Sequence, residues 1–64
     1  MIELTKLNMQ KFLLNSTYIE FIEENPDTVI TMNTGKKFVV KESGITIKQK
    51  IIDYQRQLKQ SLEQ

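Results

Sequence analysis

The stretch of sequence that decides the fold is Thr28-Val29-Ile30-Thr31-Met32-Asn33-Thr34-Gly35-Lys36-Lys37-Phe38-Val39-Val40-Lys41-Glu42. Its first five residues are rich in β-branched side chains. In an extended strand, Val29 and Thr31 lie on one face, and Ile30 and Met32 lie on the other. The next three residues form a short hairpin loop, in which Gly35 is free to adopt a positive φ. The stretch therefore predicts an antiparallel hairpin between a strand over 28–32 and a partner strand over 36–42.

A third strand is predicted immediately upstream of this hairpin. Asn25-Pro26-Asp27 is a turn signal, because proline presets φ and the flanking side chains bond locally to the backbone. In residues 18–24, Ile19 and Phe21 alternate as in a strand, whereas Ile19 and Ile22 have the spacing of a helix. The aromatic and β-branched content favours the strand. Residues 18–42 are thus expected to form a three-stranded antiparallel meander.

A separate hairpin is predicted at the N-terminus. Residues 2–5 alternate apolar and polar side chains, residues 8–10 break the pattern, and residues 11–15 resume it. In the second strand Phe12 and Leu14 share one face and Leu13 points to the other. Asn15-Ser16-Thr17 is a further break, which forms either a turn or the cap of one short helical turn.

The C-terminal third of the chain has a helical period. Ser43 is a good N-cap candidate, and no Gly or Pro follows Gly44, so a helix is expected over 45–63. Its apolar residues step by three or four, and Ile45 and Ile52 widen the stripe. We name these stripe residues the helix seam: Ile47, Ile51, Tyr54, Leu58 and Leu62. The spacing suits packing on the chain's own sheet and also a short coiled coil with another subunit.

These elements predict an α+β fold for residues 1–64 as a single domain, with a small antiparallel sheet of four or five strands over 1–42 and one C-terminal amphipathic helix. A 64-residue chain buries only about 60% of the surface that its unfolded form exposes, so its stability is marginal. The chain has no cysteine for a disulfide and no histidine for a metal site. Homo-oligomerisation is therefore expected to supply part of the stability.

Composition also limits the function. The formal net charge is +1, which is too small to attract the chain to nucleic acid by bulk electrostatics. The first residues do not form a signal peptide, and no apolar run approaches the length of a membrane span. We expect a cytoplasmic protein without membrane insertion.

No pattern of catalytic residues is present. Ser43 with Lys41 or Lys48 lacks a positioned base and an oxyanion hole, and two glycines in the chain do not make a phosphate-binding loop. The acidic residues between 20 and 27 are spaced as a solvated strand end, not as a calcium loop. We expect no enzymatic activity, no cofactor and no small-molecule substrate.

The densest basic patch comprises Lys36, Lys37 and Lys41, with Phe38 between them. Lysines and an aromatic ring are typical of single-stranded nucleic-acid binding. Here successive side chains split across both faces of the strand, and lysines on an edge strand oppose unwanted strand pairing. The edge-strand interpretation is therefore favoured, and nucleic-acid binding is the alternative.

Several blocks of the sequence resemble the FlbD family of flagellar proteins. The blocks are Ile2-Glu3-Leu4-Thr5-Lys6-Leu7-Asn8, Leu14-Asn15 followed by Ile19-Glu20, Pro26-Asp27-Thr28-Val29-Ile30-Thr31-Met32 with Gly35-Lys36-Lys37, and Val40-Lys41-Glu42-Ser43. The resemblance covers residues 1 to about 55. One departure is Met9, where the family usually has glycine. Another is Gly44-Ile45-Thr46, where the family commonly has acidic residues.

The resemblance implies a small cytoplasmic protein associated with flagellar genes, swarming motility and flagellar motor power, without catalytic residues, and it does not identify the contacted component. Our first hypothesis is an accessory protein that binds a motor or stator component or controls its amount, in the cytoplasm or at the periphery of the motor. The most family-like part of the chain contains the turns, so we expect a contact surface there. Its candidate residues are Pro26, Asp27, Asn33, Lys36, Lys37 and Lys41.

Overall fold

The computed structural model describes the backbone of residues 1–63 and the side chains of residues 1–59. Its strands are β1 (Ile2–Thr5), β2 (Lys11–Leu14), β3 (Ile19–Glu24), β4 (Thr28–Met32) and β5 (Lys37–Val40). A single 3-10 turn spans Ser16–Tyr18, and helix α1 spans Gly44–Glu63. The predicted α+β fold is confirmed. β5 is shorter than the predicted partner strand at both ends, and α1 begins one residue earlier than predicted.

The strands form two antiparallel sheets. β3, β4 and β5 make the predicted meander, with Ile30 opposite Ile22 on one side and Phe38 on the other. β1 and β2 form the predicted N-terminal hairpin. The two sheets meet where the end of β1 passes β5, because Lys6 and Val40 form an antiparallel bridge and the Lys41 N–H donates to the Thr5 carbonyl at 2.8 Å. A strand pairing between chain segments distant in sequence therefore joins the hairpin to the meander.

β3 explains the mixed spacing seen in its sequence. Its pairing with β4 shifts register between Ile19 and Phe21. Such a bulge places two residues against one and changes which face the following side chains occupy. Ile19 and Ile22 both pack against the core as a result, whereas Phe21 is 45% exposed.

The core lies between the two sheets and the first half of α1. Its buried apolar residues come from both sheets and from the helix: Ile2, Leu4, Leu14, Ile30, Met32, Val40 and Ile47. Burial decreases along the helix seam. Ile47 is buried, Ile51 and Tyr54 are half-buried against this core, and Leu58 is 49% exposed. Leu62 belongs to the predicted seam, but its side chain lies outside the described residues. The first half of the seam thus packs on the chain's own sheets.

Two side chains cap the start of α1. The Ser43 hydroxyl accepts a hydrogen bond from the Thr46 N–H at 3.2 Å, which confirms the predicted N-cap. The Glu24 carboxylate at the end of β3 accepts a second bond from the Gly44 N–H at 2.7 Å. A carboxylate is favourable at this position because the N-terminus of a helix carries partial positive charge. Glu24 therefore ties the end of the meander to the start of the helix.

The loops of the two hairpins have the same hydrogen-bond pattern. Met9 N–H donates to the Lys6 carbonyl at 2.9 Å, and Gly35 N–H donates to the Met32 carbonyl at the same distance. The fourth residue of each turn, counted from Lys6 or Met32, is left-handed, with φ +72° at Met9 and +90° at Gly35. This is a type I turn followed by a left-handed residue, a common hairpin connection.

Candidate interaction surface

The six predicted contact residues lie in two groups at opposite ends of the meander. Pro26 and Asp27 occupy the β3–β4 turn, and Lys41 follows β5 at the same end, because Thr28 pairs with Val40. Asn33 and Lys36 lie in the β4–β5 loop at the other end, and Lys37 begins β5 beside them. All six side chains are exposed. The turns therefore present two separate polar surfaces.

The first group lines a cleft of about 290 Å³ next to the start of α1. Pro26, Asp27 and Lys41 line its sides, and the Glu24 carboxylate reaches it from β3. The Glu24 carboxylate is bonded to the helix N-terminus, and the side chains of Glu24, Asp27 and Lys41 are all exposed. The cleft therefore presents two carboxylates and one lysine.

A second cleft lies between the β1–β2 loop and β5, and we name it the edge cleft. Its volume is about 370 Å³, and its lining residues are Lys6, Leu7, Asn8, Lys37, Phe38 and Val39. Leu7 is 49% exposed and Val39 is 38% exposed, although both are aliphatic. Two lysines therefore stand beside an apolar floor that water reaches. Of its lining residues, only Lys37 is among the contact residues predicted from the sequence.

The backbone of β5 is open at the Lys37 end of the edge cleft, and the bridge between Lys6 and Val40 places Leu7 beside Val39 at the other end. Antiparallel strands bond through alternate residues, and the Lys36 carbonyl accepts from the Met32 N–H at 2.8 Å. Phe38 and Val40 therefore turn their polar backbone atoms toward β4, whereas Lys37, Val39 and Lys41 turn theirs away. The Lys41 N–H is bonded to Thr5, but within the described residues no partner is found for the N–H groups of Lys37 and Val39.

Phe38 lies in a stack of side chains beside the edge cleft. Its ring centroid lies 5.5 Å from that of Phe12, with the two planes inclined by 29°. The Lys36 ammonium lies 5.2 Å from the Phe38 centroid, and the Lys6 ammonium lies 5.5 Å from the Phe12 centroid. Cation–π attraction favours these positions. The rings are consequently half-buried between each other and two lysines.

The outer face of the meander is partly apolar. Phe21, Thr31 and Lys37 form one row across the three strands, because Thr31 pairs with both of the others. Thr31 is buried, and its hydroxyl is without a hydrogen-bond partner among the described residues. Val29 and the exposed Val39 continue this face in the next row. The outer face therefore adjoins the edge cleft at Lys37 and Val39.

Glu42 connects the first strand to the start of the helix. Its two carboxylate oxygens accept bonds from the Thr5 N–H at 2.9 Å and from the Thr5 hydroxyl at 2.8 Å. Burial by itself raises the pKa of Glu42. The two bonds from Thr5, its own N–H and the charge of Lys50 outweigh burial and hold this pKa below its usual value. The ionised carboxylate thus fixes the end of β1 next to β5.

In the described part of the chain, no three or more His, Cys, Asp or Glu side chains are grouped so that they could hold a metal ion. Within residues 1–63, no helix combines the length and the apolar character needed to cross a lipid bilayer.

The fold and these surfaces define a small α+β protein with an open sheet edge and a helix whose apolar seam is partly exposed. The chain belongs to the FlbD family: the family model, described as flagellar and swarming motility proteins, matches residues 1–59. The resemblance seen in the sequence is therefore confirmed. No curated protein matches the chain, and no solved structure does.

Proposed function

We propose that this member of the motility family is a non-enzymatic accessory protein that contacts a component of the flagellar motor or stator. The observation that carries the proposal is the open edge of β5 beside exposed Leu7 and Val39, in a chain that matches the family over residues 1–59. Exposed aliphatic side chains beside charged groups are common at protein–protein contact sites.

Three further parts of the proposal concern location, assembly and motor power. The protein acts in the cytoplasm, at the periphery of the motor, where its contacts raise the power available for swarming. A second copy packs on the outer half of the helix seam, since Leu58 is half-exposed while Ile51 packs on the core. Lys36 and Lys37 lie at the open end of β5 and Lys41 lies at its other end, and all three contribute to partner choice by charge.

The experiment compares two charge reversals in cells. We expect the double variant Lys36→Glu, Lys37→Glu to reduce swarming and single-motor torque while filament number and thermal stability stay normal. Lys59→Glu is the matched control, because it reverses an exposed charge on the helix instead of β5. Flagellin and stator levels are blotted in parallel. Unchanged motility in the β5 variant contradicts the proposal, and lost filaments with reduced flagellar transcripts support a regulator instead.

The alternative function is a small nucleic-acid-binding regulator that uses the strand from Lys36 to Lys41. Phe38, the ring expected to stack on a base, is half-buried with Phe12 against it and the Lys36 ammonium over it. Base stacking needs a free aromatic face. A salt titration separates the two functions, because phosphate contacts give a steep dependence on ionic strength. We expect no such salt-dependent binding of RNA or DNA.

A further inference from the structure

We infer that the edge cleft binds an extended acidic segment of a partner protein, which adds to β5 as an extra strand. This inference rests on the proposed contact function and specifies the chemistry of the contacted segment. Three features of the edge cleft carry it: unpaired backbone groups, an apolar floor and a positive rim.

The backbone of β5 supplies the first feature. The N–H groups of Lys37 and Val39 point out of the sheet, and in the described residues neither meets an acceptor. An unpaired strand edge is a template for another strand, and such strand addition is a common mode of peptide recognition. The edge is open only over a few residues, because the bridge between Lys6 and Val40 closes it at its far end.

The floor and the rim supply the specificity. Leu7 and Val39 expose aliphatic surface, so alternate side chains of the added strand gain by being apolar. Lys6 and Lys37 line the same cleft and are both exposed. Lysines on an edge oppose pairing with most strands, yet they attract a strand that carries carboxylates. The favoured occupant therefore alternates acidic and apolar residues.

The binding test uses two labelled hexapeptides, one alternating glutamate and valine and one alternating lysine and valine. Fluorescence anisotropy with the full chain should give saturable binding of the acidic peptide only. Lys37→Glu should weaken this binding by about tenfold or more, because a like charge then faces the glutamates. Lys59→Glu, the same charge change on the helix, should leave it unchanged. Equal binding of the two peptides, or equal binding by the two variants, overturns the inference.

A second pair of variants tests the backbone contact itself. Val39→Pro removes an N–H that points out of the sheet, and proline is tolerated on edge strands. Val39→Thr keeps that N–H and measures what the apolar side chain of Val39 contributes by itself. We expect the proline variant to lose acidic-peptide binding and the threonine variant to weaken it only by the lost apolar contact. Retained binding in a folded Val39→Pro protein overturns strand addition.

Amide hydrogen exchange tests the same contact without any substitution. In the free protein the Lys37 and Val39 amides should exchange fast, and saturating acidic peptide should slow both. The Phe38 amide points toward β4 and should change little. Unaltered exchange at Lys37 and Val39 in the saturated complex also overturns the inference.

The outcomes separate this inference from the proposed function. If the acidic peptide fails to bind while the β5 charge reversals still impair swarming, the contact function stands and the inferred occupant is wrong. If the peptide binds as expected while those reversals leave motility unchanged, the occupant stands and the motility contact is elsewhere. If Lys37→Glu instead dissociates a homo-oligomer seen by light scattering, the edge binds a second copy and the inference fails.

Discussion

Met9 and Gly35 occupy equivalent positions in the two hairpin loops, with φ values of +72° and +90°. In each loop this residue donates its N–H to the carbonyl three residues earlier at 2.9 Å. Glycine adopts positive φ at no steric cost, whereas a side chain there brings Cβ close to the backbone. The same loop geometry is therefore relaxed in one hairpin and strained in the other.

Met9→Gly should stabilise the protein. The substitution removes a left-handed residue that costs about 1–2 kcal/mol, against about 0.5–1 kcal/mol for the greater freedom of glycine in the unfolded chain. Met9 is 68% exposed, so little buried apolar surface is lost. We expect the free energy of unfolding in urea to rise by roughly 0.5–1 kcal/mol. Gly35→Ala is the converse variant and should lower it, although no atom outside the adjoining residues lies within 4 Å of the added Cβ. A Met9→Gly protein that unfolds at lower urea contradicts the assignment of strain.

Glu42→Gln should lower stability at neutral pH and matter less in acid. The folded-state pKa of Glu42 is lowered, so its contribution to stability is present above its unfolded pKa of about 4.3 and is lost as pH falls through the folded value. At pH 7 we expect a loss of about 1 kcal/mol or more, because a charge-assisted bond from Thr5 is removed. Urea titrations at steps of about one pH unit between pH 2 and pH 7 measure the difference in unfolding free energy between Glu42→Gln and the parent. Glu20→Gln makes the same change at an exposed residue, and equal pH profiles for the two variants contradict a role for the Thr5 contact.

Gly44→Ala should raise the free energy of unfolding more in a Glu24→Ala background than in the parent protein. Alanine is the better helix former by about 1 kcal/mol, but its Cβ collides with the Glu24 carboxylate oxygen that caps the helix. Glu24 has a flexible side chain and can move away, which forfeits the cap. A double-mutant cycle with Glu24→Ala should give a coupling of about 0.5–1 kcal/mol by urea denaturation. Additive effects in that cycle mean that the alanine Cβ does not displace the Glu24 carboxylate from the cap.

Ile51→Asp and Leu58→Asp should separate the two halves of the helix seam. Ile51 packs against the core, so an unpaired carboxylate there should cost roughly 2–4 kcal/mol and unfold much of a chain this small. Leu58 is 49% exposed, so Leu58→Asp should keep the helical circular dichroism of the parent. Light scattering should then show a lower mass for Leu58→Asp, because we propose that a second copy packs on the outer seam. A mass equal to that of the parent contradicts this role of Leu58.

Most of the local structure could be predicted because its signals are local. The Asn25-Pro26-Asp27 turn, the loop ending at Gly35 and the Ser43 cap each depend on residues within a few positions of one another. The mixed spacing of β3 was also present in the sequence. Its explanation as a bulge between Ile19 and Phe21 required the pairing with β4, because a register shift exists only relative to a partner strand.

The candidate surface was predicted only in part. Lys37 was identified from its charge and from its place on an expected edge strand. Leu7 and Val39 were not, because an exposed aliphatic residue in a loop or strand has no distinguishing sequence pattern. Their importance comes from lying together with Lys6 in the edge cleft, which neither hairpin forms alone.

The sequence by itself determined the order and type of the elements, since periodicity, turn residues and caps act over a few neighbouring positions. Only the tertiary structure decided that β1 passes β5, that Glu42 bonds to Thr5 thirty-seven positions away, and that Glu24 caps the helix. These contacts join segments far apart along the chain. Which segments meet depends on how the sheets and the helix together bury Leu4, Ile30 and Ile47, and that packing is a property of the whole fold.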